Sequence, residues 1–175
     1  MNRFEVKRTD ITKLNVDAIV NIANEELVEK SGVCSTIFRE AGSDELSAAC
    51  QEIAHCDVGD AVITPGFKLK AKYIIHAVGP AWHDGYHHES KLLYDTYKAA
   101  LTIARDNDCH SIAFPLLPTD DYWYPKDKAW KKAFEACGDF MSENRNYKIR
   151  IIFSVRDDSI EELLRMAKKY GRGYR

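Results

Sequence analysis

Tyr73-Ile74-Ile75-His76-Ala77-Val78 decides the fold. The run is β-branched and aromatic, and it is nearly continuously apolar. A strand of that composition suits a sheet centre covered on both faces. Ile149-Arg150-Ile151-Ile152-Phe153 reads the same way, within a strand over Ile149 to Ser154. Working outward, Phe4 to Lys7, Ala18 to Asn21, Ala61 to Thr64 and Ser111 to Pro115 complete the strands. Between them run helical stripes with apolar residues three and four apart. Leu93, Thr96, Tyr97, Ala100, Leu101 and Ala104 make one. Trp130, Ala133, Phe134, Cys137 and Met141 make another, and Ile160, Leu163, Leu164 and Ala167 a third. Asp158 with Glu161 forms a capping-box start for the third, and Gly171 fits its end. A further helix covers Ser43 to Ala54, and a short one Thr36 to Ala41. Strands alternating with helices predict a three-layer α/β/α sandwich around a mixed, mainly parallel sheet of about six strands. With no repeat, low-complexity tract or linker, residues 1–175 are expected to form one domain.

The totals narrow the function classes. The chain has 175 residues, enough to bury a substantial core, and a net charge of -2 with no basic excess. Phosphate-backbone binding needs clustered Lys and Arg, so nucleic acid is not an expected partner. Lys168, Lys169, Arg172 and Arg175 form a small basic cluster that suits a solvated helix end. No apolar run reaches the ~20 residues of a membrane span, so no membrane partner is expected. The absence of a signal-peptide pattern predicts a cytoplasmic location. Cys34, Cys50, Cys56, Cys109 and Cys137 are odd in number and scattered, which fits reduced thiols better than a disulfide scaffold.

Ligands of open α/β sheets bind beyond the carboxyl ends of the strands, so the segments after each strand carry the functional signal. Thr9-Asp10-Ile11-Thr12 follows the first strand. Val16-Asp17-Ala18-Ile19-Val20-Asn21-Ile22-Ala23-Asn24 spans the second. Then come Arg39-Glu40-Ala41-Gly42, Gly59-Asp60-Ala61, Ile63-Thr64-Pro65-Gly66, and Tyr73 through Gly79-Pro80. Ser111-Ile112-Ala113-Phe114-Pro115 and Tyr124-Pro125 follow. In this order, from about Val6 to Pro125, the segments resemble those of the macro domain family. The resemblance implies a macro-like fold whose ligand is ADP-ribose or a related adenosine nucleotide, free or on an ADP-ribosylated protein. It implies that Asp10 accepts a hydrogen bond from the adenine amino group, that the Ile11 backbone contacts the ring, and that Asn24 orients the distal ribose. An amide both donates and accepts, which suits a ribose diol. A turn-capping carboxylate for Asp10 and a loop-turn amide for Asn24 are the alternative readings. Asn21 reads as a structural hydrogen-bonder.

The phosphate loops depart from the family pattern. In Glu29-Lys30-Ser31-Gly32-Val33-Cys34-Ser35-Thr36-Ile37, Gly32 and Val33 match. Cys34 stands where many hydrolytic members have Asp. In Pro118-Thr119-Asp120-Asp121-Tyr122-Trp123-Tyr124-Pro125, Asp120 and Trp123 stand at glycine positions. The resemblance implies that Thr119 and Tyr122 remain as ligand contacts. Carboxylates repel a diphosphate by about 1 kcal/mol per charge pair at about 4 Å in water. Weak ADP-ribose binding, a less charged adenosine ligand, and a new Asp120–Asp121 acid/base or cation-bridging pair all follow from this, as does plain solvation of both carboxylates.

Cys34 lies near a predicted helix N-terminus, which lowers a thiol pKa, and His76 is the nearest candidate base. A small buried cysteine beside a structural histidine is the plainer reading. His83, His87, His88 and Glu89 cluster after Pro80, but their spacing matches no defined zinc motif, and Cys50, His55 and Cys56 lack a second ligand pair. Neither a cofactor nor a metal is expected. Three function classes remain: an ADP-ribose binder; a hydrolase of ADP-ribosyl esters or O-acetyl-ADP-ribose using Asn24, Cys34 or the Asp120–Asp121 pair; and a degenerate macro fold serving protein contacts.

Overall fold

The computed structural model describes residues 4–117 and 124–156, together with Glu161, Leu164, Arg165 and Lys168. The strands are β1 (Phe4–Arg8), β2 (Ala18–Ile22), β3 (Ala61–Pro65), β4 (Tyr73–Ala77), β5 (Ser111–Phe114) and β6 (Arg150–Val155). The helices are α1 (Val33–Ala41), α2 (Ser43–Ile53), α3 (Glu89–Asp106) and α4 (Lys126–Glu143). One six-stranded sheet runs in the order β1-β6-β5-β2-β4-β3. All pairings are parallel except β3 with β4, which is antiparallel at one edge.

Period-two alternation sorts the side chains of each central strand between two cores. Ala18, Val20, Ile22, Ile75, Ala77, Ile112, Phe114, Ile151 and Phe153 face the layer of α3 and α4. Ile19, Ile74, Ala113 and Ile152 face the layer of α1 and α2. The expected three-layer α/β/α sandwich is therefore the observed one. In the larger core, the fully buried Phe153 touches the rings of Phe4, Phe114, Trp130 and Phe134. Burying each such ring contributes roughly 1.5–3 kcal/mol.

Three helices begin earlier than their apolar stripes suggest: α1 at Val33, α3 at Glu89 and α4 at Lys126. A stripe marks only the turns that meet the sheet, whereas the first turn of each helix projects toward the loops. Beyond β6, Glu161, Leu164, Arg165 and Lys168 are helical, as the third stripe predicts. Leu164 was expected within the buried stripe and is 40% exposed instead. The rest of that stripe, with Asp158 and Gly171, lies outside the described residues. No helix among the described residues is long and apolar enough to cross a membrane.

Candidate functional site

The parallel strands bring their carboxyl ends to one edge of the sheet. Asp10 follows β1, Asn24 follows β2, Val78 follows β4, Pro115 follows β5 and Arg156 follows β6. With β6 and β5 between β1 and β2, three interstrand steps separate Asp10 from Asn24 by about 14 Å along this edge.

Asp10 caps a one-turn 3-10 helix, Ile11–Lys13. Its Oδ1 accepts bonds from the Thr12 amide at 3.0 Å and the Thr12 hydroxyl at 2.7 Å. Its Oδ2 lies 2.7 Å from the Arg156 guanidinium. Burial alone would raise the Asp10 carboxyl, but the two Thr12 bonds and the Arg156 charge outweigh it and hold the group below its ordinary value. Asp10 is thus a turn cap, and it also presents an ionised oxygen at the sheet edge. Ile11 is buried, which leaves its backbone as the part able to meet a ligand. No motif or spacing in the sequence points to Arg156. Its proximity to Asp10 arises because β1 pairs with β6 in the register Arg8↔Val155, a contact across most of the chain.

Asn24 is half-buried and holds its own loop. Its Nδ2 donates to the Val28 carbonyl at 3.1 Å, and its Oδ1 accepts from the Val28 amide at 3.1 Å. Each end of the amide keeps one further bonding position. The preceding motif residue, Asp17, serves the opposite edge, where its carboxylate accepts from the His110 amide at 2.7 Å.

The loop from Asn24 leads to α1. Gly32 is the N-cap, with φ of 76°, and no side chain among the described residues caps the first-turn amides of α1 there. Among the described residues, a Cβ on Gly32 would meet nothing within 4 Å. Val33 is half-buried, in the first turn. Cys34 faces inward at 2% exposure, and burial raises its thiol, overriding the lowering expected from the helix terminus. His76 does not serve it as a base. The His76 Nδ1 lies 3.0 Å from Asn21 Nδ2, and its Nε2 lies 2.9 Å from Thr64 Oγ1 and 3.9 Å from Cys50 Sγ. Burial pushes this imidazole down to about 4. Neutral, with Nδ1 accepting from Asn21, it ties β2, β4 and β3 together under the ligand loop. Thr119, Asp120, Asp121 and Tyr122 lie outside the described residues.

A shallow depression lined by Glu143, Asn144, Arg145, Asn146 and Tyr147 sits before β6, at the opposite edge of the sheet. Its lining residues are consecutive in sequence and hold no grouping of catalytic side chains. Two clusters of potential metal donors also form among the described residues: Glu25, His55 and Asp57, all exposed; and Asp84, His87 and Glu89, with Glu89 buried. Of these, Glu25, Asp57 and Asp84 were not singled out by sequence. Glu25 joins His55 because the Cys56 amide donates to the Glu25 carbonyl at 2.9 Å.

Residues 20–133 match the Macro domain family, and the chain belongs to it. A Macro domain-containing protein of Mesorhizobium japonicum is 49% identical over 129 residues, covering 74% of this chain and 73% of its own length. A Salmonella gallinarum protein named O-acetyl-ADP-ribose deacetylase is 44% identical over 144 residues, covering 81% of this chain and 80% of its own. Among solved structures, the Oceanobacillus iheyensis macrodomain with ADP superposes with a TM-score of 0.89 at 31% identity, covering 98% of this chain and 93% of that one.

Proposed function

We propose that this chain binds ADP-ribose, or a close adenosine nucleotide, along the carboxyl edge of its parallel strands. The observation that carries the reading is the placement of Asp10 and Asn24 beyond parallel strands of one sheet, with the uncapped start of α1 on the loop that follows Asn24. Asp10 would take the adenine amino group and Asn24 the distal ribose diol. The first-turn amides after Gly32 would take the diphosphate, where the helix dipole favours negative charge. Similarity to a macrodomain solved with ADP supports the same ligand class. Calorimetry with ADP-ribose, ADP and adenosine tests it. Binding of ADP-ribose and ADP at least about tenfold tighter than adenosine is expected, since each decade corresponds to about 1.4 kcal/mol of phosphate contact. Failure of all three to bind refutes the proposal.

A second reading, hydrolysis of O-acetyl-ADP-ribose, is favoured by the name of the 44% identical Salmonella gallinarum relative. Because Cys34 is a buried thiol held in its neutral form, the nucleophile would be a water oriented by Asn24 rather than the cysteine. Acetate release from O-acetyl-ADP-ribose, lost in Asn24→Ala and kept in Cys34→Ala, is the expected pattern. The reverse pattern overturns this route.

A further inference from the structure

We propose that the loop joining β4 to α3 is a divalent transition-metal site, with Asp84, His87 and Glu89 as ligands. This site is separate from the adenosine nucleotide reading and does not depend on it.

The donor atoms are already gathered. His87 Nδ1 lies 2.8 Å from Asp84 Oδ1 and 3.8 Å from Glu89 Oε1. All three lie within 4.8 Å of one another. Nitrogen and oxygen ligands about 2.0–2.2 Å from a tetrahedral ion stand about 3.3 Å apart. The two spacings from His87 straddle that value, and Asp84 and His87 are exposed side chains free to adjust toward it. The His83 ring packs edge-on against the His87 ring, 5.4 Å between centroids. One imidazole with two carboxylates forms a donor set suited to zinc, cobalt, nickel or manganese.

Glu89 adds a buried anion to the set. Its residue is only 1% exposed. Buried charges are paired or coordinate metals. Among the described residues, the ion-pairing partner of both Glu89 and Asp84 is His87, and no lysine or arginine joins them. The Gly85 and His87 amides donate to Glu89 Oε2 and Oε1, each at 2.6 Å. The His83 amide bonds the carboxylate as well, so three backbone bonds fix it in place, as outer hydrogen bonds do for metal ligands, and about one of its four acceptor positions is left for an ion. The turn itself depends on Gly85: its φ is 88°, and a Cβ there would meet the Trp82 ring at 3.0 Å. Trp82 packs edge-on against Tyr124 at 4.9 Å, so an ion fixing this loop would also brace the chain entering α4. The other donor cluster, Glu25, His55 and Asp57, is exposed throughout and has no such buried member.

Full-length protein without a histidine tag, stripped with chelator and dialysed, is titrated with Co(II) while visible d–d absorption is followed, then challenged with Zn(II). One equivalent of Co(II) is expected to bind and to be displaced by Zn(II). His87→Ala and Asp84→Ala, both exposed, should each weaken binding at least tenfold while melting like wild type in chelator. His55→Ala should bind as wild type does. The proposal is overturned if wild type binds no stoichiometric Co(II), if His87→Ala or Asp84→Ala binds normally, or if His55→Ala is the variant that loses the ion.

Discussion

Exchanging Asp10 for Asn separates its two duties. The Thr12 amide and hydroxyl bond only to Oδ1, at 3.0 and 2.7 Å. An asparagine oxygen accepts both, so the turn cap survives. The new amide group replaces Oδ2 and faces the Arg156 guanidinium, now as donor against donor. Arg156 is 61% exposed and can turn into solvent. Losing so exposed an ion pair costs at most about 1 kcal/mol of stability. Ligand recognition should suffer more. A hydrogen bond to a charged group contributes about 1.5–3 kcal/mol, so ADP affinity should fall roughly ten- to hundredfold. The sharper assay is the ratio of ADP to inosine diphosphate, in which a carbonyl replaces the adenine amino group. Wild type should prefer ADP about tenfold or more, and Asp10→Asn should level or invert that preference, because its amide can donate to the carbonyl. The Asp10 carboxyl is held below its ordinary value, so it stays ionised at neutral pH and the wild-type ratio should be flat from about pH 6 to 8. Calorimetry with both nucleotides measures this directly. An Asp10→Asn chain that melts like wild type and keeps the wild-type ratio would refute the adenine role of Asp10.

Three other outcomes follow from the geometry. Asn24→Asp replaces the Nδ2 donor with an oxygen facing the Val28 carbonyl; hydrogen exchange at the Val28 amide should quicken and stability fall by about 1 kcal/mol, whereas unchanged exchange would deny that the amide holds this loop. The depressed pKa of His76 means that the unfolded chain takes up the proton first, so this residue's contribution is present above the unfolded value of 6.5 and is lost as pH falls toward about 4. At about 1.4 kcal/mol per pH unit the loss is about 3 kcal/mol; urea unfolding at both ends of that window should show it, and His76→Gln should flatten the slope. Phe153→Ala removes the ring shared by Phe4, Phe114, Trp130 and Phe134 and should cost about 3–5 kcal/mol in urea unfolding, with Leu164→Ala, at 40% exposure, costing under about 1.

What sequence determined were the properties that repeat locally. The apolar runs around Ile74, Ile112 and Ile151 fixed the central strands, because only a position covered on both faces tolerates so little polarity. The stripes of α3 and α4 fixed the buried faces, since every residue of the Leu93–Ala104 stripe is buried. Motif order identified the family segment by segment. Tertiary structure decided what depends on pairing between distant segments. The strand order puts β6 beside β1, so Arg156 reaches Asp10 across 146 residues of chain. Burial converted Cys34 from a helix-terminus thiol into a core one. Folding of the β4–α3 loop turned a string of polar residues with no metal spacing into three donors around one point, with Glu89 buried at its base. Periodicity records how a segment meets its layer, but the charge and hydrogen-bond partners that set a side chain's chemistry come from segments its neighbours in sequence do not specify.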